Sequence, residues 1–452
     1  MNDFFSTEGK IISATAPGRM DVMGGISDYS GSLLLQMPIK QTTTVSIQKR
    51  TDGAFHFRTQ ISKKKTADFT IHVSAIKDRP LTAGGKIIKS VIGGDWAVYV
   101  LGCFLVLAKE KKVDLTGANV IIKSDVPWGK GVSSSAALEV ATMNALNQLY
   151  KLSLEKEELA VLAQMAENRV AGAPCGLMDQ LSSHLGKKNK LLPLICQPHQ
   201  VDKPISIPRG IHFSGIDSGV RHAVSGASYS DVRIAAFMSY TIIALNEGAS
   251  VEGLDEARTS GKWNKLPYKG FLANIPVSVF EKKYISLLPA EISGKDFLAQ
   301  YKSSIDTVTQ IDEDKIYKPR VCGSHPVYEN ARVNEFKDLL KGFKKQDDRQ
   351  RALKQMGSLM LQSHESYSLV GLGNEFTDKI IELVEDAGPD SGVFGARVSG
   401  GGNGGTVCVL SYGKEGKEAV KEIYLKYTQI KKQKLYFFSG SSHGAFTLNQ
   451  YI

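Results

Sequence analysis

The stretch Gly129-Lys130-Gly131-Val132-Ser133-Ser134-Ser135-Ala136-Ala137 joins two segments of different periodicity. Upstream, residues 118–122 form a mostly apolar run of the kind that buried strands show. Downstream, apolar residues recur near helical spacing from Ala137 to Leu149. The sequence around this stretch therefore predicts a strand, a glycine-rich turn and a helix, in that order.

A turn of this kind is suited to hold an anion. The start of a helix presents unpaired backbone N–H groups and the positive end of the helix dipole, and glycines let the backbone approach a polyphosphate closely. The three serines add hydroxyls that can cap the helix or reach a phosphate-bound magnesium ion. The stretch is not a Walker A loop, because Lys130 is followed by Gly131 and Ser124 stands where the first glycine should be. An ordinary strand-to-helix turn remains the alternative at this point.

Length and composition restrict the class of protein. The 452 residues suffice for two or three domains, and the net charge of +10 suits an anionic ligand as readily as a nucleic acid. The five cysteines lie far apart and lack metal-ligand spacing, which favours reduced thiols in a cytoplasmic protein. We expect no nucleic-acid partner and no membrane partner, because the chain has neither an aromatic-and-basic recognition motif nor an apolar run of bilayer-spanning length. The N-terminal residues also lack the pattern of a signal peptide.

Four charged residues lie next to predicted turns or helix ends. Arg19 follows Pro17-Gly18, where the first predicted strand is expected to end, and Asp28 lies in the glycine-rich turn beyond it. Glu167 comes near the end of a predicted helix, where the dipole disfavours a carboxylate unless it faces water or binds a cation. Asp179 belongs to the next helical segment. Taken singly, these residues are better explained as turn contacts, a helix cap and surface charge.

A glycine run, Gly400-Gly401-Gly402-Asn403-Gly404-Gly405, lies between two predicted strands at 393–399 and 406–410. The run satisfies G-x-G-x-x-G, but it precedes a strand and not a helix, so the context of a dinucleotide-binding turn fails. A flexible or close-approach loop between strands is the better interpretation.

Three stretches, at 16–19, 127–137 and 398–405, resemble in order the three motifs of the GHMP small-molecule kinases. The chain is most similar to the galactokinase branch of that superfamily. The segments that match galactokinase sugar-site segments are Asp28-Tyr29, Pro174-Cys175-Gly176-Leu177-Met178-Asp179-Gln180 and Val220-Arg221-His222. The resemblance extends from about residue 14 to about residue 410 and is weakest between 249 and 321, where the sequence looks irregular.

The resemblance implies an α+β chain of two domains with the active site between them. The N-terminal domain, expected at residues 1–205, would have the ribosomal-protein-S5-domain-2-like fold, and the C-terminal domain, expected at 206–452, would be ferredoxin-like. The last strand, near 434–452, is expected to return to the first domain.

The resemblance also implies roles for individual residues in a phosphoryl transfer from ATP with Mg²⁺. Asp179 would be the catalytic base, with Arg19 holding it ionised, and Ser135 and Glu167 would bind magnesium. The expected ATP-binding residues are Gly129, Lys130, Gly131, Val132, Ser133, Ser134, Ser135, Ala136 and Trp96. The expected sugar-binding residues are Asp28, Gly176, Asp179, Tyr229 and Ile26, and the third loop contributes Gly400, Gly401 and Gly402.

The substrate is indicated by two side chains that this sequence lacks. Galactokinases carry Gly-Glu-His-Thr-Asp-Tyr where this chain has Gly24-Gly25-Ile26-Ser27-Asp28-Tyr29. That Glu-His pair faces the exocyclic hydroxymethyl end of the hexose, and L-arabinopyranose has the galactose ring without that group. When a site has no polar side chain facing the hydroxymethyl end of the sugar, L-arabinose leaves no hydrogen-bonding group unpaired there, so the site accepts it.

Residues 23–31 (Met-Gly-Gly-Ile-Ser-Asp-Tyr-Ser-Gly) also resemble the kinase domain of plant L-arabinokinases. We therefore expect an L-arabinose 1-kinase, with galactose as the alternative substrate. A catalytically silent sugar sensor is the second alternative. Introducing Glu and His at positions 25 and 26 is expected to shift the preference toward galactose.

Overall fold

The computed structural model describes residues 4–62, 65–92, 96–173, 175–220, 227–343 and 348–450. The chain divides into two compact units. The N-terminal unit consists of Met1–Met20, Gln36–Leu192 and Phe438–Ile452. The C-terminal unit consists of Asp21–Leu35 and Pro193–Phe437.

The described residues form 14 strands and 14 α-helices. The strands are β1 (Ile11–Met23), β2 (Leu33–Lys49), β3 (Ala54–Ser62), β4 (Lys65–His72), β5 (Ala118–Ser124), β6 (Lys190–Cys196), β7 (His199–Val201), β8 (Ile205–Ser206), β9 (Ile211–Asp217), β10 (Ile292–Ser293), β11 (Ile316–Tyr317), β12 (Val393–Ser399), β13 (Thr406–Tyr412) and β14 (Phe437–Ser439). The α-helices are α1 (Leu81–Ile92), α2 (Trp96–Lys111), α3 (Ser134–Tyr150), α4 (Lys156–Met165), α5 (Met178–Leu185), α6 (Ala227–Asn246), α7 (Val251–Ser260), α8 (Val277–Val279), α9 (Gly294–Tyr301), α10 (Pro319–Gly342), α11 (Arg349–Leu369), α12 (Glu375–Ala387), α13 (Gly413–Lys431) and α14 (Ala445–Leu448).

The N-terminal unit is built on a sheet in which β4, β3, β5, β2 and β6 are neighbours in that order, and β1 pairs with β2. β5 runs antiparallel to β2 and parallel to β3. Its apolar residues pack with those of α2 and α3 in one core, which includes Phe55, Phe104, Val120 and Leu146. Helix α2 is apolar on every side from Ala97 to Leu107, which is the pattern of a helix buried in a core. The predicted strand, turn and helix around residue 130 are therefore β5, the glycine-rich loop and α3.

The C-terminal unit contains a second sheet with the order β12-β13-β9-β14. β13 lies antiparallel between β12 and β9, and its pairing with β9 runs from Thr406↔Asp217 to Tyr412↔Ile211. In chain order the unit reads β9, helices, β12, β13, α13, β14, which is the β-α-β-β-α-β order of a ferredoxin-like domain. The expectation of a ferredoxin-like fold in this half of the chain is confirmed.

The two units differ from the division that we expected at residue 205. Asp21–Leu35 belongs to the C-terminal unit, because its backbone is bound there by α10 and α11. Ile26 N donates to Tyr367 Oη at 2.8 Å, and Leu33 N donates to Asn330 Oδ1 at 3.0 Å. Phe438–Ile452 groups with the N-terminal unit, so the boundary falls within β14.

Three local predictions need adjustment. β1 continues through Pro17-Gly18 to Met23, so the first strand does not end where the breaker pair suggested. The helix that carries Glu167 changes from α4 into a π-helical turn, Ala166–Ala171, at its C-terminal end. The segment from 249 to 321 is not irregular throughout, because it forms α7, α8, α9 and the short strands β10 and β11.

Within the described part of the chain, no helix is both long enough and apolar enough to cross a lipid bilayer.

Candidate active site

The glycine-rich loop enters α3 through three left-handed residues. Gly129, Gly131 and Ser133 have φ angles of 69°, 70° and 57°, and α3 begins at Ser134. Ser133 is the residue before the helix, but its side chain makes no hydrogen bond to the helix backbone. The left-handed turns direct the loop backbone around the start of α3, where the helix dipole favours an anion.

The Ser133 side chain is directed to Asp179 instead. Its hydroxyl donates to Asp179 Oδ2 at 2.5 Å, while Arg19 Nε donates to Asp179 Oδ1 at 2.8 Å. Arg19 is also bound to the loop, because its Nη1 donates to Gly131 O at 2.7 Å and its backbone N donates to Val132 O at 3.0 Å. Asp179, the predicted base, and Arg19 therefore form one hydrogen-bonded group with the glycine-rich loop.

A second pair of carboxyl groups lies buried beside this group. Gln180 Nε2 donates to Glu167 Oε2 at 2.7 Å and to Glu139 Oε2 at 2.9 Å. Burial, followed by the charge of Asp179, raises the pKa of Glu167 to about 7. Burial, followed by the charge of Glu167, raises the pKa of Glu139 well above its usual range. Two anions brought this close in a buried place disfavour each other's ionisation, so the pair is poised to accept a proton or a cation.

The oxygen atoms of this pair suit a hard cation. Ser135 hydrogen-bonds to Glu167, which brings the two predicted magnesium ligands together. Glu139 Oε1 and Gln180 Oε1 are buried without a hydrogen-bond partner. Among the residues that the structure describes, no group of three or more His, Cys, Asp or Glu side chains could hold a metal ion. Glu167 and Ser135 supply one carboxylate and one hydroxyl, which are oxygen donors of the kind that suits Mg²⁺, since this ion is usually held by one or two carboxylates together with substrate phosphates.

A cavity of about 330 Å³ opens beside the first turn of α3. Aromatic and aliphatic side chains dominate its lining, and the residues are Thr43, Thr59, Trp96, Ile122, Ser124, Val126, Trp128, Ser134 and Leu138. Trp128 is 43% exposed and packs edge-to-face against Tyr99 at 5.8 Å between ring centroids. An exposed indole beside an apolar pocket is suited to contact a flat heterocycle. The structure places the predicted residue Trp96 in this lining and adds Trp128.

In the C-terminal unit, Asp28 and Tyr229 lie near one buried cation, Arg233. Its guanidinium is 5.5 Å from the Tyr29 ring centroid, and Tyr29 packs edge-to-face on Tyr229 at 6.3 Å. Burial alone would lower the pKa of Arg233, but hydrogen bonds and charge from Asp306, followed by Tyr229 and Asp28, raise it. The two predicted sugar-binding residues are therefore close to a permanent positive charge.

The turn Gly25–Ser30 is buried throughout. Ile26 is 1% exposed and belongs to the apolar core of the C-terminal unit, together with Tyr29 and Tyr229. The third loop lies on the same unit, where Tyr367 Oη donates to Gly400 O at 2.8 Å. The Tyr367 hydroxyl also accepts a hydrogen bond from the Ile26 N–H, so this side chain joins the turn to the third loop.

Two further predicted segments are only partly described. Gly176 lies in the N-terminal unit, half-buried, two residues before α5 begins at Met178. Pro174 and the pair Arg221-His222 lie outside the described residues.

Several side chains of these groups were absent from the sequence-based prediction. Glu139 carried no motif of its own, although it lies one helical turn after the predicted residue Ser135. Gln180 lies next to Asp179 in the segment that matches the galactokinases, but no role was predicted for it. Arg233 follows Tyr229 by four residues on α6, which was a usable signal. Its partner Asp306 lies 73 residues away in the segment to which we assigned no chemistry.

Comparisons with known proteins match the geometry. Family models match at residues 98–187 (GHMP kinases N terminal domain), 339–430 (GHMP kinases C terminal) and 2–49 (galactokinase galactose-binding signature). The chain is 35% identical to an L-arabinokinase of Arabidopsis thaliana over 98% of this chain and 46% of the relative. It thus spans about half the length of that protein.

Two further proteins are similar over most of their length. A galactokinase of Chloroflexus aggregans is 29% identical over 92% of this chain and 87% of its own. The solved structure of Lactococcus lactis galactokinase complexed with galactose superposes with a TM-score of 0.72 at 19% identity, covering 98% of this chain and 96% of that one. With the motif order, the two-domain fold and the family models in agreement, the chain belongs to the GHMP kinases, in the group that contains the galactokinases and L-arabinokinases.

Proposed function

We propose that this chain is an ATP-dependent sugar 1-kinase whose acceptor is L-arabinose. The observation that carries the proposal is Asp179, a carboxylate in the first turn of α5 that is held at one oxygen by Arg19 and at the other by Ser133, the residue that precedes α3. A carboxylate in this position can take a proton from a hydroxyl group that meets a phosphate bound at the helix start.

In the proposed reaction, the anomeric oxygen of the sugar attacks the γ-phosphorus of ATP while its proton passes to Asp179. The new bond joins that oxygen to phosphorus, and the bond from the γ-phosphorus to the bridging oxygen breaks. The products are sugar 1-phosphate and ADP. Arg19, 4% exposed, carries the fixed positive charge that stabilises the transferring phosphoryl group and orients Asp179.

The loop from Gly129 to Ala136 would bind the ATP phosphates, and the cavity lined by Trp96 and Trp128 would receive the adenine ring. Ser135 and Glu167 would hold Mg²⁺. When bound, Mg²⁺ supplies charge neutralisation for the phosphate oxygens. Binding of the cation would favour the ionised form of Glu167, which burial and the charge of Asp179 otherwise disfavour.

The preference for L-arabinose rests on the turn Gly25–Ser30. Position 25 has no side chain, position 26 is apolar, and Asp28 supplies a carboxylate for ring hydroxyls. Polar side chains at positions 25 and 26 would lose their hydrogen-bond partner when the bound sugar lacks an exocyclic hydroxymethyl group. This turn has no polar side chain at either position, so it carries no such penalty. The similarity to an L-arabinokinase supports the same choice.

A coupled assay for ADP release with a panel of sugars tests the proposal. We expect a higher kcat/KM for L-arabinose than for D-galactose, with Asp179→Asn as the inactive control. A clear preference for galactose would replace L-arabinokinase by galactokinase. No ADP release with any sugar, although sugar binding is measurable by calorimetry, would favour a catalytically silent sensor.

A further inference from the structure

Gly25 is packed so closely that any side chain at position 25 would clash with neighbouring atoms. A Cβ atom added at this position would lie 1.5 Å from Tyr367 Oη, 2.7 Å from Tyr367 Cζ and 2.8 Å from Arg397 Nη2. The φ angle of Gly25 is +46°, which side-chain-bearing residues rarely adopt. Position 25 therefore admits only glycine while Tyr367 keeps its place.

Tyr367 is held in that place by its surroundings. It is fully buried, its Oη accepts the Ile26 N–H at 2.8 Å, and it donates to Gly400 O at 2.8 Å. The Arg397 guanidinium lies 5.1 Å from the centroid of its ring, and the His325 ring meets it edge-on at 5.4 Å. Arg397 in turn is bound to Asp21 at 2.6 Å with both side chains inaccessible to solvent. A phenol with this many fixed neighbours cannot move aside for a new side chain at small energetic cost.

We infer that Tyr367 is a specificity-determining residue: its hydroxyl fills the volume that a side chain at position 25 would need, and so excludes a polar group from this part of the sugar-recognising turn. The inference deepens the proposed function and rests on it. It also changes the expectation for the exchange at positions 25 and 26. Glu and His cannot be introduced there without first shortening Tyr367.

A set of variants separates this inference from the alternatives. Tyr367→Leu opens the space, Gly25→Glu adds the polar side chain, and the double variant combines them. Tyr240→Leu is the matched control, because Tyr240 is equally buried and its hydroxyl donates to a backbone carbonyl, that of Pro267, at 2.7 Å. For each protein, kcat/KM is measured with L-arabinose and with D-galactose, and the melting temperature is measured without sugar.

We expect Gly25→Glu alone to lower kcat/KM for both sugars at least about 10-fold and to lower the melting temperature, because the new side chain displaces Tyr367. The double variant is expected to melt higher than Gly25→Glu and to raise the galactose-to-arabinose ratio of kcat/KM at least about 10-fold over the unaltered chain. Tyr240→Leu should lower the melting temperature and leave that ratio unchanged.

Additive effects of Gly25→Glu and Tyr367→Leu on the melting temperature would overturn the inference, because two residues that compete for one space must be coupled. An unchanged sugar ratio in the double variant would also overturn it. If the unaltered chain releases no ADP with any sugar, the proposed function is wrong and the inference about sugar specificity is wrong with it. The melting temperatures would still show whether side chains at positions 25 and 367 compete for one space.

Discussion

Arg19 and Asp179 lie 160 positions apart in the chain and meet through a hydrogen bond of 2.8 Å between Nε and Oδ1. The bond is charge-assisted and largely shielded from water, since the Arg19 side chain is 5% exposed and that of Asp179 is 20% exposed. It fixes one carboxylate oxygen, while Ser133 binds the other. The carboxylate plane is thus set by the protein before any substrate arrives.

Asp179→Asn is expected to lower kcat by roughly 10²- to 10⁴-fold, because the amide keeps the shape of the group but cannot accept the sugar proton. The melting temperature is expected to fall as well, because the buried Arg19 guanidinium loses its counter-charge, whereas KM for the sugar should stay within a few-fold of its original value. Steady-state kinetics with thermal unfolding as the control measures both. A kcat within a few-fold of the unaltered chain, with sugar binding intact, would show that Asp179 is not the base.

The two buried glutamates give a matched pair of variants. Glu167→Gln removes the carboxylate expected to hold Mg²⁺, so we expect kcat/KM to fall at least about 10²-fold, with partial recovery at high Mg²⁺ concentration. Burial raises the pKa of the Glu139 carboxyl well above its usual range, so Glu139→Gln, which introduces a neutral side chain of the same shape, is expected to cost less activity than Glu167→Gln. Magnesium titrations of the initial rate distinguish the two. Equal losses in both variants would contradict the assignment of Glu167 as the ligand.

The aromatic cavity predicts where the nucleotide base binds. Trp128→Ala is expected to raise KM for ATP about 10-fold, a loss of about 1.4 kcal/mol of binding free energy, with little change in KM for the sugar. Trp128→Phe is the control, since it retains an aromatic face beside Tyr99 and should recover most of the affinity. Binding of a fluorescent ATP analogue measures both. An unchanged ATP affinity in Trp128→Ala would place the base elsewhere.

Two buried histidines predict a loss of stability in mild acid. Burial lowers the pKa of His325 to about 4, with smaller effects of Glu329, Arg332 and Arg397, and burial lowers that of His184 to about 3. Both side chains are neutral in the folded protein, whereas their unfolded pKa is near 6.5. The unfolded state therefore binds more protons below pH 6.5, so the free energy of unfolding falls as the pH drops from about 6.5 toward 4.

His325→Gln is expected to remove about 2 kcal/mol of that pH dependence between pH 7 and pH 5, because the amide can still bond to Ser366 but does not titrate. Urea unfolding followed at pH 7.0, 6.0 and 5.0 gives the slope for both proteins. If the slope is the same with and without His325, the acid sensitivity comes from other groups.

Local sequence was sufficient for the elements that depend on neighbouring residues. The periodicity change around residue 130 predicted β5, the loop and α3, because side-chain spacing and glycine content act over a few residues. The order of the three motifs then identified the two-domain fold and the family. It also selected Arg19 and Asp179, which the structure brings together, and Ser135 with Glu167, which hydrogen-bond each other.

Local patterns failed where contacts join distant parts of the chain. The segment from 249 to 321 carried no motif, yet its Asp306 pairs with Arg233 on α6, and both side chains are almost fully buried. Glu139 looked like any helical glutamate, and only folding places it beside Gln180 and Glu167. Pro17-Gly18 suggested a strand end, but sheet pairing carries β1 through it.

The sequence by itself determined that this protein has a glycine-rich loop at the start of a helix. It also determined that positions 25 and 26 lack a pair of polar side chains. Both are properties of consecutive residues. Only the tertiary structure decided why position 25 must be glycine. The Tyr367 hydroxyl accepts a hydrogen bond from the Ile26 N–H, 341 positions earlier in the chain, and it fills the space that a side chain at position 25 would need. Packing of this kind depends on which distant atoms share a volume, and residue spacing along the chain carries no record of it.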